Sequence, residues 1–444
     1  MLLDANQAVN GYSLSRTFWS DFVERHWEKS PLAIRRPFAA PLATAEELFS
    51  ALVDACDQYR RDERAAGPDS RGKARVRFNL GDARAGHAQL MTDVGKHLPL
   101  PADETVEGYA RRLARQSGDI RFELIVRHFQ ALSMELWLRM SGFFRGLYEF
   151  VGIPAENSEA VLFLRNHEAT SFGMHRDEAG VFMFILQGRK RVLTWPRDYF
   201  DGGAGAFCTL DYERFRGDAL ILDGGPGDII YWPSGHWHVA ESSGPLSASI
   251  SLGLRLDYEP VAEVLRHLGR AAGARLGANA AADTYPFDPD DPQQSAADVP
   301  ATIEAALEAV KEVCRGEEFE RLIKLAWLNR VTSFGFVSVP PPLPRSTLGD
   351  GEVIRGRPGY PVVWIPLEDG QLACSANGHS LKVKGSAEVI QMIELLNTGA
   401  PRSVNDIIRG CAGHGAVREA AILRNLLESL FCIRAVEAVN NAAA

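Results

Sequence analysis

From residue 181 the chain alternates between dense apolar runs and short polar breaks. Val181 to Leu186 is an uninterrupted apolar run of strand length, Gln187-Gly188 reads as a turn, and Lys190 to Trp195 reads as the returning strand. The pattern therefore predicts a β-hairpin. Upstream the period lengthens. Thr44-Ala45-Glu46-Glu47 is a capping box opening a helix towards Arg60. Arg61 to Lys73 is charged and glycine-bearing and reads as a loop, while Ala110 to Gln116 and Gln130 to Val151 read as helices. Phe143, Phe144, Tyr148 and Phe150 form an aromatic stripe on the second of these, and such stripes make core rather than binding sites.

After Arg255 the texture becomes helical: Glu259 to Leu276 and Thr302 to Arg330 carry helical patterns around an Ala, Asp and Pro-rich stretch from Gly277 to Pro300. The prolines of Pro340-Pro341-Pro342-Leu343-Pro344 favour extended backbone and mark a stiff boundary. Beyond it, Leu381 to Val383 reads as a strand, Ala387 to Asn397 as a helix ended near Gly399, Ser403 as the cap of a second helix, Ala416 to Phe431 as a third, and Cys432 to Val436 as a last strand.

The hairpin pattern directly follows His175-Arg176-Asp177, and a further histidine, His238, closes Ser234-Gly235-His236-Trp237-His238. On a strand, residues two apart point to one side, so His175 and Asp177 can aim at a common point while Arg176 faces away. Two imidazoles and one carboxylate can occupy one face of an octahedral divalent metal and leave other positions open, the arrangement used by mononuclear non-haem Fe(II) oxygenases. A third ligand so far along the chain must arrive on a strand adjacent in space, which suits a jelly-roll barrel. His236 and His238 would share a face on a regular strand, so geometry alone does not choose between them. His167-Glu168 precedes the pair and reads as an exposed loop. Lys190, just past the expected turn, needs either solvent at the barrel rim or an anionic partner such as a carboxylate-bearing cosubstrate.

The ordered set His175, Asp177, Gly188, Lys190, Gly227, Asp228, Tyr231, Pro233, Trp237, His238, Glu241 and Ser242 resembles the JmjC and cupin-like 2-oxoglutarate oxygenases, nearest the ribosomal oxygenases and related bacterial protein hydroxylases. Phe18 to Leu32 is similar to the opening helix and strand of that branch, and Ser251 to Arg255 to its barrel exit. The resemblance implies that His175, Asp177 and His238 bind Fe(II), with His238 preferred over His236, and that Lys190 pairs with the distal carboxylate of 2-oxoglutarate. A small polar residue usually assists that carboxylate; Ser251 is the candidate, with Ser249 beside it. Gly180 and Val192 stand where branch members often carry an aspartate and an aromatic, which leaves the substrate open.

The length allows about three units of ordinary domain size. A net charge of −9 argues against a general phosphate-binding surface and for a protein or peptide partner. Cys56, Cys208, Cys314, Cys374, Cys411 and Cys432 form no Cys-x-x-Cys pair, so neither a zinc site nor a disulfide framework is indicated. No apolar stretch is long enough to span a bilayer, and the first residues lack a signal-peptide pattern, so a cytoplasmic protein is expected.

The expected architecture is mixed α and β. It comprises a double-stranded β-helix (jelly-roll, cupin) oxygenase domain over 1–256, a helical dimerisation segment over 257–339 and a winged-helix-like domain over 345–444. The helix Val404 to Arg409 offers one cation, which argues against DNA binding. The expected cofactors are Fe(II), 2-oxoglutarate and dioxygen; the expected partners are a protein or peptide substrate and a second copy in a homodimer. The competing readings are a tailoring hydroxylase of a ribosomally made peptide, an N-methyl demethylase, and a non-catalytic cupin-like binding protein.

Overall fold

Period-two alternation in the N-terminal half produces one large antiparallel sheet, seen in a computed structural model that describes residues 8–9, 11–66, 75–81, 89–90, 95–117, 121–154, 156–168, 172–200, 211–256, 259–277, 285, 299–367, 370–412 and 417–439. Contacts divide the chain into two units, Met1–Asp257 with Phe334–Pro341, and Tyr258–Ser333 with Pro342–Ala444. The helical segment and the C-terminal module, distinct in the sequence pattern, thus group in one unit. Cys208 and most of the stretch from Gly277 to Pro300 lie outside the described residues.

The first unit runs β1 (Ala8–Val9), β2 (Ser13–Leu14), α1 (Arg16–Arg25), β3 (Leu32–Ile34), α2 (Ala45–Ala66), β4 (Val76–Leu80), β5 (Gln89–Leu90), α3 (Val106–Ser117), β6 (Phe122–Val126), α4 (Met134–Val151), β7 (Glu159–Arg165), β8 (His175–Arg176), β9 (Ala179–Trp195), β10 (Leu220–Gly224), β11 (Ile229–Trp232) and β12 (Trp237–Arg255). Ten strands join in the order β3-β11-β9-β12-β7-β6-β4-β5, with β10 also on β9 and β8 also on β12. The long strands β9 and β12 are the spine. On its free edge β12 pairs β8 through Trp237 and His238, then β7 through Ser247 to Gly253. This mixed fold with its large antiparallel sheet agrees with the expected jelly-roll class.

The expected hairpin is absent: β9 is a single strand through Gln187 and Gly188. The feature read as a turn is a bulge. Opposite it the register of β12 jumps from Ser243 to Ala248, Gly188 has φ +71°, and a Cβ on Gly188 would sit 2.7 Å from the Leu246 carbonyl oxygen. Glycine with positive φ serves a bulge as readily as a turn.

The two faces of β9 explain the helices. Phe182 and Phe184 meet Phe143 of α4 with ring centroids 5.2 and 5.0 Å away, and Trp19 of α1 meets Phe143 at 5.2 Å. Val181, Met183 and Ile185 face the other way into a second apolar cluster with Trp232. Phe143 and Phe144 are core as the stripe implied, while Phe150 lies under the Arg16 guanidinium. The Thr44 cap forms: Thr44 N–H donates to Glu47 Oε2 at 2.9 Å and Glu47 N–H to Thr44 Oγ1 at 3.2 Å.

The second unit opens with α5 (Pro260–Leu276), α6 (Ala301–Arg315) and α7 (Glu317–Thr332). The pattern read as one helix from Thr302 to Arg330 breaks at Gly316, whose extended backbone ends α6 and begins α7. There follow β13 (Val353–Gly356), β14 (Val363–Pro366), β15 (Gln371–Ala376), β16 (His379–Lys384), α8 (Ala387–Asn397), β17 (Arg402–Ser403), α9 (Val404–Ala412), α10 (Val417–Cys432) and β18 (Val436–Ala438). They make two three-stranded sheets, β17-β13-β18 and β14-β15-β16, around a core that includes Met392, Ile393, Leu427 and Leu430. Ser403 accepts from the Asp406 N–H at 3.1 Å, as its capping role required. The last strand starts later than expected because α10 continues through Cys432. Among the described residues no helix is long and apolar enough to cross a membrane.

Candidate metal centre and its cavity

β8 and the start of β12 bring the candidate ligands together by register, with His175 opposite His238. Asp177 is not on the strand, which ends at Arg176; its carbonyl instead accepts the Gly235 N–H at 2.8 Å, tying the ligand loop to the turn before β12. Its carboxylate still reaches the common point. Asp177 Oδ2 lies 3.8 Å from His175 Nε2 and 3.6 Å from His238 Nε2, and the three donor atoms lie within 4.8 Å of one another.

Both rings are oriented from behind. His175 Nδ1 is 2.9 Å from the Gly173 carbonyl and His238 Nδ1 is 3.0 Å from the His236 carbonyl. A carbonyl only accepts, so each Nδ1 carries the proton and each Nε2 keeps its lone pair free for a metal. Burial, reinforced by the neighbouring His175, lowers the His238 pKa to about 4, so the ring is neutral in ordinary buffer. His236 does not share a face with His238, because β12 begins only at Trp237 after a turn in which Gly235 has φ +73°. It serves through its backbone. His167 is buried, not the exposed loop residue its surroundings implied.

The triad opens on a cavity of about 740 Å³ walled by Val181, Met183, Trp232, Val161 and Phe163. Lys190 also lines it, is 1% exposed and donates to Ser242 Oγ at 2.9 Å. Burial first, then the adjacent Arg165, hold its pKa well below 10.5, against the pull of Glu123. The rim position for Lys190 is thereby excluded. Ser249 and Ser251 both line the cavity, two apart on one face of β12, and the fully buried Ser249 hydroxyl has no hydrogen-bond partner among the described residues.

Residues 153–260 match the family model described as JmjC domain. The match covers about a quarter of the chain. The JmjC segment spans β7 to β12 and contains the triad, Lys190, Ser249 and Ser251. No curated protein matches the chain. Similar solved structures include the ribosomal oxygenase YcfD from Escherichia coli, at 17% identity over 95% of this chain and 97% of that one with a TM-score of 0.47. The same protein in complex with cobalt and 2-oxoglutarate matches at 17% identity over 95% and 98%, TM-score 0.46. An oxalate decarboxylase from Bacillus subtilis matches at 16% identity over 31% and 26%, TM-score 0.18.

Three functional neighbours of the JmjC site escaped the sequence pattern. Arg165, 2% exposed, lines the cavity and donates to Ser242 Oγ at 2.8 Å and to the Ala240 carbonyl at 2.9 Å. Glu123, fully buried, lies 3.5 Å from it. A charged residue inside an otherwise apolar strand demands a partner and was the available signal. Glu28 accepts from the Tyr231 hydroxyl at 3.0 Å and from the Ser234 N–H at 3.1 Å, bracing the turn that delivers His238.

Proposed function

We propose that the protein is an Fe(II)- and 2-oxoglutarate-dependent oxygenase that uses dioxygen to hydroxylate a side chain of a protein or peptide. The observation that carries this reading is a His175, Asp177 and His238 cluster on one cavity that is also lined by the buried Lys190. The donor set fits the metal: two imidazoles held by backbone carbonyls and one carboxylate match a divalent first-row ion with open coordination positions. When bound there, Fe(II) with 2-oxoglutarate supplies the oxidation, one oxygen atom of dioxygen entering a substrate C–H bond and the other leaving in succinate as carbon dioxide is released.

The chain's own residues place the reactants. His175 and His238 present Nε2, Asp177 contributes the negative charge, and Lys190 holds the far carboxylate of 2-oxoglutarate by a charge-assisted contact. Ser251 and Ser249 line the same cavity and offer hydroxyls to the cosubstrate. Val181, Met183 and Trp232 keep the reacting centre apolar and dry.

The remaining parts of the reading concern assembly. Val261, Leu265, Leu307 and Trp327 on α5, α6 and α7 are 68%, 57%, 52% and 59% exposed, which supports a helical segment (257–339) that pairs with a second copy. The order of α8, α9, α10 and β18 supports a winged-helix-like module (345–444) after the oxygenase domain (1–256), acting in protein contact rather than on DNA, in a cytoplasmic enzyme. The test is incubation of the Fe(II)-loaded protein with 2-oxoglutarate and proteins from its own cell extract, followed by mass spectrometry and succinate measurement. A protein or peptide heavier by one oxygen atom, formed with succinate, is expected. Oxidation of a free metabolite alone would refute the polypeptide substrate, and no 2-oxoglutarate turnover under any condition would refute the oxygenase.

A further inference from the structure

The part of the cavity wall around Lys190 holds more positive charge than its own carboxylate balances. Lys190, Arg165 and Glu123 are 1%, 2% and 0% exposed, two cations against one fully buried anion, while the next carboxylate near Arg165, Glu241, is already paired with Arg216. Cross-strand register builds the group as one row: Glu123 on β6 faces Asn79 on one side and Arg165 on the other, and Arg165 faces Ser247 of β12. The two cations are held close, because Arg165 Nε and Lys190 Nζ donate to the same oxygen, Ser242 Oγ, at 2.8 and 2.9 Å. A single hydroxyl cannot neutralise two neighbouring charges.

The donors are also incompletely used. A guanidinium has five N–H groups and an ammonium three. Arg165 spends one on Ser242 and one on the Ala240 carbonyl, and turns a third nitrogen's edge towards Glu123 at 3.5 Å. Lys190 spends one on Ser242. Among the described residues this leaves at least two N–H groups on each cation without an acceptor, and both side chains line the cavity. The Ser249 hydroxyl, buried on the same cavity, also lacks a partner. Buried charged donors without acceptors are costly, so the arrangement calls for an anion with several lone pairs. One carboxylate, with about four acceptor positions and a single negative charge, satisfies both the hydrogen bonds and the charge.

We propose that Arg165 is a second binding residue for the distal carboxylate of 2-oxoglutarate, gripping it together with Lys190, with Glu123 as the counter-charge that lets two cations share so small a space. This rests on the reading of 2-oxoglutarate as cosubstrate. The planar fork of arginine gives the grip a direction that a lone lysine lacks, so Arg165 also sets the length of 2-oxo acid that fits.

The test is calorimetric binding to the full chain loaded with Mn(II) in the absence of dioxygen, using 2-oxoglutarate and 2-oxopentanoate, which keeps the 2-oxo acid end and lacks the distal carboxylate. Wild type binds 2-oxoglutarate more tightly. Arg165→Met is expected to weaken 2-oxoglutarate at least about tenfold, the worth of a lost charge-assisted contact, while 2-oxopentanoate changes by less than about twofold. Arg165→Lys, which keeps the charge and loses the fork, should fall between them. If Arg165→Met does not fold, the lysine variant carries the test. Unchanged 2-oxoglutarate affinity in a folded variant, or equal weakening of both ligands as a merely structural residue would give, overturns the assignment. Failure of the wild type itself to prefer 2-oxoglutarate overturns the cosubstrate reading instead, and is seen before any variant is made.

Discussion

Replacing Ser242 tests the anion end through stability alone. Its hydroxyl is the shared acceptor of two buried cationic donors, Arg165 Nε and Lys190 Nζ, and the residue is only 5% exposed. A hydrogen bond to a charged group contributes about 1.5–3 kcal/mol, so losing both would cost roughly 3–6 kcal/mol if nothing relaxed. Two responses reduce that. Lys190, whose pKa burial already depresses, can release its proton and remove one charge. Water from the adjoining cavity can also replace the lost oxygen if the new side chain leaves room.

The side chain decides which response is available. Ser242→Val fills the space and excludes water, so about 3 kcal/mol of destabilisation is expected; Ser242→Ala admits water and should cost about 1–2 kcal/mol. Ser242→Thr keeps the hydroxyl and should cost under about 1 kcal/mol. Urea unfolding of the ligand-free protein measures these differences, read as midpoint shifts at constant slope. Equal stability of the valine and threonine variants would refute the bridging role.

The other predictions concern metal, cosubstrate and assembly. Metal analysis should find one Fe(II) per wild-type chain and none retained by Asp177→Ala or His238→Ala, with turnover lost in both; intact iron and turnover in His238→Ala would remove that residue from the ligand set. Lys190→Ala should weaken 2-oxoglutarate by about 2 kcal/mol while leaving iron binding nearly unchanged, checked by titrating 2-oxoglutarate against succinate formation. Trp327→Glu places a charge on an exposed apolar face of α7 and should shift the protein towards monomer in light scattering, whereas an unaltered dimer would locate the interface elsewhere.

What the sequence made legible was local. The Thr44 and Ser403 caps, the span of α8 and the apolar run inside β9 all depend on neighbours a few residues away, and each formed as the pattern implied. The candidate triad was legible because its residue types are chemically restrictive. Other features depend on partners distant in the chain. Gln187-Gly188 carries the same signal for a turn and for a bulge, and only the insertion in β12 opposite it decides. His236 looked like a strand residue until the Gly235 turn delayed the strand. Arg165 and Glu123, 42 residues apart in sequence, become a pair only through the register of β6 on β7.

That irregularity also accounts for how one cavity takes in both His238 and Lys190. Strand residues alternate in direction, so on an unbroken strand an odd and an even position cannot both face the same cavity. On β9 the cavity residues are Ala179, Val181 and Met183, then Lys190; on β12 they are His238 and Ala240, then Ser249, Ser251 and Gly253. Both strands change parity near one level: β12 has extra residues between Ser243, opposite Arg189, and Ala248, opposite Gln187, and β9 has one extra, Leu186, between Gln187 and Ile185, which faces Ser249. Without that change Lys190 would turn outward while Val181 and Met183 stayed inside, or the reverse. Leu186, inside the apolar run, is therefore the extra residue that lets Lys190 reach the cavity lined by His175 and His238. Gly188 nearby leaves room for the inserted segment of β12, since a Cβ there would sit 2.7 Å from the Leu246 carbonyl oxygen, and its φ of +71° suits a residue without a side chain.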